Sequence, residues 1–187
     1  MIALLRQLIR ENIEKRKLYV LVGPPGVGKS WWIRQNVDDP YIISYDNAVS
    51  AVAKANKLKY DDIAGPKAGS FRKDIAELEK QQVTNAAASG KDIIVDKTNM
   101  TVKSRKRAMK AIEGSESDFE KVAVFFDFRG LEPLILKSVE RRAMEEGDKN
   151  IDPGVVIGMM NRFEMPSESE GFNDIIIVDP TGTLHRH

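Results

Sequence analysis

The chain contains no cysteine, which excludes disulfides and thiolate metal ligands alike. Its two histidines, His185 and His187, both stand at the C-terminal end, so neither a zinc site nor a histidine-based catalytic centre is expected. An excess of one charge is lacking too. Twenty-nine Lys and Arg face 28 Asp and Glu, for a formal net charge of +1. Nothing in the bulk calls for nucleic acid or a membrane, and any such affinity must come from local clusters. No apolar run approaches the roughly 18 residues of a membrane span. Met1–Lys17 interrupts its apolar residues with Arg6, Arg10, Glu11, Glu14, Lys15 and Arg16, unlike the continuous apolar core of a signal peptide. A cytoplasmic protein with no membrane partner is expected.

What is present fits one α/β domain over residues 1–187, with 42% hydrophobic and 30% charged residues. Ile2, Leu4, Leu5, Leu8, Ile9 and Ile13 recur at near-helical spacing, which predicts a leading helix before residue 17. Five short runs of apolar, often β-branched residues follow: KLYVLV from Lys17, YIISY from Tyr41, DIIVD from Asp92, KVAVFFDF from Lys121 and DIIIVD from Asp174. Helical patterns separate them: one begins inside the glycine loop and carries Trp31, Trp32 and Ile33, and others follow at about 47–56, 70–88, 102–112, 131–145 and 153–163. Strands that alternate with helices predict a five-stranded parallel sheet covered on both faces.

The first strand runs directly into Gly23-Pro24-Pro25-Gly26-Val27-Gly28-Lys29-Ser30, which matches the pattern G-x-x-x-x-G-K-[ST]. Each fixed position has a mechanical reason. Gly23, Gly26 and Gly28 allow a tight turn whose N–H groups point at phosphate oxygens, and the following helix adds the positive end of its dipole. Lys29 reaches the β- and γ-phosphates as a point charge, and the Ser30 hydroxyl is placed to ligate Mg²⁺. Val27 and Trp31 belong to the same nucleotide-binding stretch. Of the paired Trp31 and Trp32, at least one is expected in the core. ATP with Mg²⁺ is the implied ligand.

Transfer of a phosphoryl group also needs a base for the acceptor hydroxyl and positive charge on the migrating group. Asp46 stands just past the second strand, at the sheet's carboxyl edge, where ligands bind in open parallel sheets. It is equally well placed to cap a helix starting at Asn47. Asp96 closes the third strand in Asp96-Lys97-Thr98-Asn99; Lys97 stands where a hydrolysing motor usually has a glutamate. Arg141 and Arg142 precede the polar Glu146–Asn150 loop and read either as a mobile lid bringing an arginine to the phosphates or as a solvated face paired with glutamates. From Lys97 to Lys110 there are six basic residues, Lys97, Lys103, Arg105, Lys106, Arg107 and Lys110, and no acidic one. Such a cluster can follow a phosphate backbone or simply keep a helix face in water.

Together these pieces resemble the phage-type polynucleotide 5′-hydroxyl kinases, within the P-loop kinases of nucleoside-monophosphate-kinase type. The likeness runs through GPPGVGKS, the strand before Asp46, DKTNM, Arg141–Arg142 before the lid, Met160–Pro166 and Gly171–Asp174. It covers nearly the whole chain after the leading helix. The resemblance implies Asp46 as general base, with Lys29 and Arg142 stabilising the transferring phosphate. It also implies that Asp96, Thr98 and Asn99 lie beside the acceptor; the basic cluster supports this, with Arg105 and Arg107 expected to grip the acceptor's backbone. The acceptor would be the 5′-hydroxyl end of DNA or RNA, with a separate ligase or phosphatase working alongside; the alternative is a small-molecule or nucleotide-sugar kinase of the same fold. Two positions depart from the family. Val49 stands where an arginine commonly holds the acceptor's 3′-phosphate, and Glu146 where the lid usually carries a second arginine.

Overall fold

The computed structural model describes residues 15–146 and 149–186. The expected leading helix, the middle of the Glu146–Asn150 loop with the Glu146 side chain, and His187 lie outside the described residues. The order of elements is β1 (Arg16–Val22), α1 (Lys29–Asn36), β2 (Tyr41–Ser44), α2 (Tyr45–Ala55), a single-turn α3 (Tyr60–Ile63) and a 3-10 stretch at Gly65–Phe71. Then come α4 (Arg72–Ala86), β3 (Ile93–Asp96), α5 (Val102–Ala108), β4 (Phe119–Phe126), α6 (Glu132–Glu146), α7 (Pro153–Asn161), β5 (Asp174–Val178) and β6 (Leu184–Arg186).

The sheet order is β2-β3-β1-β4-β5-β6. The first five strands are parallel and β6 is antiparallel to β5, so the sheet has a sixth strand that the five-stranded expectation did not contain. β1 lies at the centre because its run from Leu18 to Val22 is buried throughout, as a strand covered on both faces must be. One apolar layer joins Leu18, Val20 and Val22 to Ile93, Phe125, Ile135 and Val139. The opposite layer joins Tyr19 and Leu21 to Trp32, Val124 and Phe126. A third cluster, remote from the sheet's middle, packs Val49, Val52, Ile63 and Ile75 beneath α2, α3 and α4.

Parallel pairing brings the sheet's functional ends to one edge. Ser44, the last residue of β2, pairs with Asp96, the last of β3, while Val22 at the end of β1 pairs with Phe125 of β4. The glycine loop, Asp46 and Asp96 therefore leave the sheet side by side. No helix among the described residues is long and apolar enough to cross a membrane.

Candidate active site

The glycine loop is fixed by its own backbone and by the stem of α6. Gly26 has φ +81°, and a Cβ there would meet the Val139 side chain at 3.0 Å and the Ile135 carbonyl oxygen at 3.3 Å. The Ser138 hydroxyl donates to the Gly26 carbonyl at 3.2 Å. Gly28 caps α1 in the left-handed region at φ 98°, a conformation costly for any side chain. Gly23 N–H donates to the Thr98 carbonyl at 3.0 Å, so Thr98 acts on the loop through its backbone.

Lys29 Nζ donates to the carbonyls of Gly23 at 3.0 Å and Pro24 at 2.8 Å, which folds it back over the loop. Withdrawal from water lowers its pKa to about 8; the charges of Asp96 and Asp46 oppose that shift and Arg142 adds to it. Burial raises the Asp96 carboxyl above its usual range, with Asp46 adding to the rise and Lys29, Arg142 and Lys149 opposing it. Lys29, Asp46, Asp96, Arg142 and Lys149 thus form one charge-coupled group. Arg141 and Arg142, adjacent in sequence, part company here. Arg141 points to solvent and meets Glu145 one turn on at 3.7 Å, whereas Arg142 acts on the centre.

Asp46 lies in the first turn of α2, but it is not the cap. The helix begins at Tyr45, two residues earlier than its apolar pattern predicts, and the Ser44 hydroxyl accepts from Asn47 N–H at 3.4 Å. Asp46 Oδ1 instead accepts from the Tyr60 hydroxyl at 2.7 Å. Ser30 sits exposed in the first turn of α1, directly after Lys29. Among the described residues no three His, Asp or Glu gather as a metal site. The donor set therefore fits a divalent ion shared with a bound polyphosphate through Ser30, rather than an all-protein cage.

Beside the loop opens a cavity of about 390 Å³, lined by Trp31, Leu134, Ile135 and the Asp179–Gly182 turn. Trp31 is half exposed and lines it, while Trp32 is buried edge-on to Tyr19 and Phe126. The two tryptophans thus divide between cavity and core. The turn opposite is held together by one carboxylate. The Asp179 carboxylate accepts from Thr181 N–H and hydroxyl and from Thr183 N–H, and those bonds, the Thr181 hydroxyl first, hold its pKa down to about 2. Sequence reasoning missed this wall. Its only signal was the D-P-T-G turn directly after the fifth strand.

The basic helix needs correction. Arg105 is fully buried. Its guanidinium donates to both oxygens of Glu170 at 2.8 Å and to the carbonyls of Asn99 and Glu164, so it cannot grip an acceptor. Lys97 pairs with Glu79 at 2.6 Å. Lys103, Lys106, Arg107 and Lys110 remain exposed; the first three share one face of α5 at i, i+3, i+4 spacing, and Lys110 lies in the 3-10 turn that follows it, Met109–Ile112.

Asn99 also changes role. Its side chain is buried and donates to the carbonyls of Leu21 and Val95, bracing β1 against β3. The Met160–Pro166 segment is part of the same brace: Glu164 N–H donates to the Met100 carbonyl at 2.8 Å and its carboxylate accepts from Val102 N–H. Val49 is fully buried in the third cluster. Position 49 therefore faces the core, and the missing arginine leaves no gap in the site.

A glycine loop with its lysine, two carboxylates at neighbouring strand ends and an arginine from the helix packed on that loop define a P-loop kinase-like domain. A family model described as AAA domain matches residues 18–166, and the chain belongs to that family. Among solved structures, a candidate kinase from Chloroflexus aurantiacus is similar with a TM-score of 0.59 at 14% identity, over 91% of this chain and 88% of that one. A chain of the PezAT chromosomal toxin–antitoxin system of Streptococcus pneumoniae is similar with a TM-score of 0.56 at 15% identity, over 97% and 76%. At such identities the likeness concerns the fold alone. A fungal RNA kinase also matches, at 12% identity and a TM-score of 0.41 over 89% and 75%, too distant to bear on the acceptor. No curated protein matches the chain by sequence.

Proposed function

We propose that the chain is an ATP-dependent kinase that transfers the γ-phosphate to the 5′-hydroxyl end of a polynucleotide. The observation that carries the kinase reading is Asp46. It is released from capping by Ser44, aimed by Tyr60, and coupled in charge to Lys29 and Asp96. A carboxylate so placed can take the acceptor's proton while Lys29 and Arg142 meet the charge that gathers on the migrating phosphoryl group. The cavity between Trp31 and the Asp179–Gly182 turn suits the nucleotide base. Ser30 would be the protein ligand to a Mg²⁺ carried by the phosphates.

The polynucleotide acceptor rests on the exposed face Lys103, Lys106, Arg107 and Lys110, which leads away from the Asp96–Asn99 segment. A second reading, a small-molecule kinase, is favoured by the internal pairing of Lys97 and Arg105, which leaves that face with four cations instead of six.

The test is transfer from γ-labelled ATP to 5′-hydroxyl DNA, RNA, nucleosides and sugars, with wild type and Asp46→Asn side by side. Asparagine keeps an oxygen for Tyr60 but cannot accept a proton. Product is expected on oligonucleotide ends, falling about 10²–10⁴-fold in the variant as a positioned base is lost, with ATP affinity retained. Product on sugars or nucleosides alone would establish the second reading. Undiminished turnover by Asp46→Asn would remove the base.

A further inference from the structure

We infer that Tyr60 is the positioning residue of this site: its hydroxyl fixes the carboxylate of Asp46 so that the second oxygen, Oδ2, receives the acceptor's proton. The inference rests on the reading of Asp46 as base and adds to it a residue that no motif marks. The Tyr60 hydroxyl donates to Asp46 Oδ1 at 2.7 Å. Rotation about the bond to a carboxylate is soft and roughly two-fold, so a donor on one oxygen is what gives the other a direction. Tyr60 is not itself the base. Burial, reinforced by the bond to Asp46 and that residue's charge, pushes its ionisation well above the usual range, so it stays a donor wherever the enzyme works.

The ring is held from both sides of the site. Ile63, on the same turn of helix, is buried in the third cluster, and Gly65 N–H donates to the Tyr45 hydroxyl at 3.1 Å, which ties the residue beside Asp46 to the end of α3. From the other side, Lys149 Nζ stands 5.4 Å from the Tyr60 ring centre, and Asn150 N–H donates to both Asp61 oxygens at 3.1 Å. Tyr60 therefore stands between Asp46 on one side and Lys149 on the other. In the step itself a lone pair of the acceptor oxygen forms the new O–Pγ bond. The electron pair of the bond between Pγ and the bridging oxygen leaves with ADP, and the acceptor's proton goes to Asp46 Oδ2.

The experiment is a double-mutant cycle of wild type, Tyr60→Phe, Asp46→Asn and the double variant. It uses γ-labelled ATP and whichever of oligonucleotide, nucleoside or sugar yields product with wild type. Phenylalanine keeps the ring against Lys149 and removes only the hydroxyl. Tyr60→Phe should lower kcat roughly ten- to a hundredfold, the usual worth of a hydrogen bond to a charged group, with KM for ATP unchanged. Added to Asp46→Asn it should do nothing further, because it acts through that carboxylate. A Tyr60→Phe enzyme with wild-type kcat, or a loss that multiplies undiminished onto Asp46→Asn, overturns the positioning role while Asp46 stands as base. Full activity in Asp46→Asn, or no product with any acceptor, overturns the base reading and this inference together.

Discussion

The glycine loop and the Asp96–Lys110 segment sit on the same sheet edge, yet their sequences foretold them very differently. In the loop every requirement is local. Gly26 and Gly28 adopt positive φ, Lys29 reaches carbonyls five and six residues back, and the eight-residue spacing carries all of it. In the second segment six cations look alike in sequence, and the fold sorts them by partners far along the chain. Glu79 claims Lys97, and Glu170, 65 residues away, claims Arg105. A backbone motif is thus readable where it stands, whereas the role of a charged side chain is decided by burial and by distant carboxylates.

The sharpest way to break that contrast is to compare two arginines two residues apart. Arg105→Ala leaves Glu170, whose side chain is only 4% exposed, as an uncompensated buried charge. The expected loss is roughly 3–5 kcal/mol of folding stability. Arg107→Ala, on the exposed face, should stay within about 0.5 kcal/mol of wild type. Urea denaturation of both variants measures this directly. Equal midpoints would mean that the cluster is one surface after all and that the sorting is wrong.

The loop has its own test, in turnover and in protons. Lys29→Met should cost about 10²–10³ in turnover, the typical worth of a preorganised donor to developing charge. The sign of the proton linkage follows from a pKa lowered to about 8 against an ordinary 10.5. Between those values the unfolded chain holds the proton and the folded one has lost it. The burial penalty is therefore full below pH 8 and is relieved as pH rises through that window, so this lysine's contribution favours the fold more at higher pH. A bound polyphosphate restores the charge. ATP binding should then take up about half a proton at pH 8, rising toward one at pH 9, and weaken as pH rises. Calorimetry in buffers of different protonation enthalpy reads the uptake. It should vanish in Lys29→Met, and its persistence there would assign the titration to another group.

The same division runs through the rest of the molecule. The five parallel strands were legible because each is a compact apolar run, and the positions of Asp46 and Asp96 at the ends of two such runs already place both carboxylates on one sheet edge. β6 was not legible. It is three residues long, and it pairs with Ile176–Val178 because Asp179 gathers Thr181 and Thr183 into a turn. The choice between base and cap at Asp46 could not be made from sequence, since Ser44 and Asp46 are both good capping types and the start of α2 decides between them. Tyr60 was invisible for a different reason: a tyrosine in a polar stretch 14 residues downstream carries no periodic or motif signal. Asn99 misled because its family context suggested an acceptor contact, while its buried amide is used by the Leu21 and Val95 carbonyls.

The smallest effect expected is also the one that decides what the exposed face is for. Lys103 and Arg107 are one turn apart on α5, and both are exposed. A plain alternative exists: Arg107 lies in the last turn of α5, where a cation sits well with the helix dipole, for a few tenths of a kcal/mol, and Lys103 in water needs no ligand. The two readings differ in salt. If each cation engages one phosphate of a single-stranded acceptor, binding falls with log salt at a slope of about −0.7 per contact, and removing both should flatten that slope by about 1.4. A double variant, Lys103→Ala with Arg107→Ala, titrated with a fluorescent 5′-hydroxyl oligonucleotide across a salt series, measures it. KM for ATP should not move, since the glycine loop is untouched, and a nucleoside 3′-monophosphate should bind weakly to both proteins because Val49 is buried and supplies no partner for its phosphate. An unchanged slope makes the face a solvated one, and the acceptor must then be sought among molecules small enough to be held by Asp46, Asp96 and Arg142.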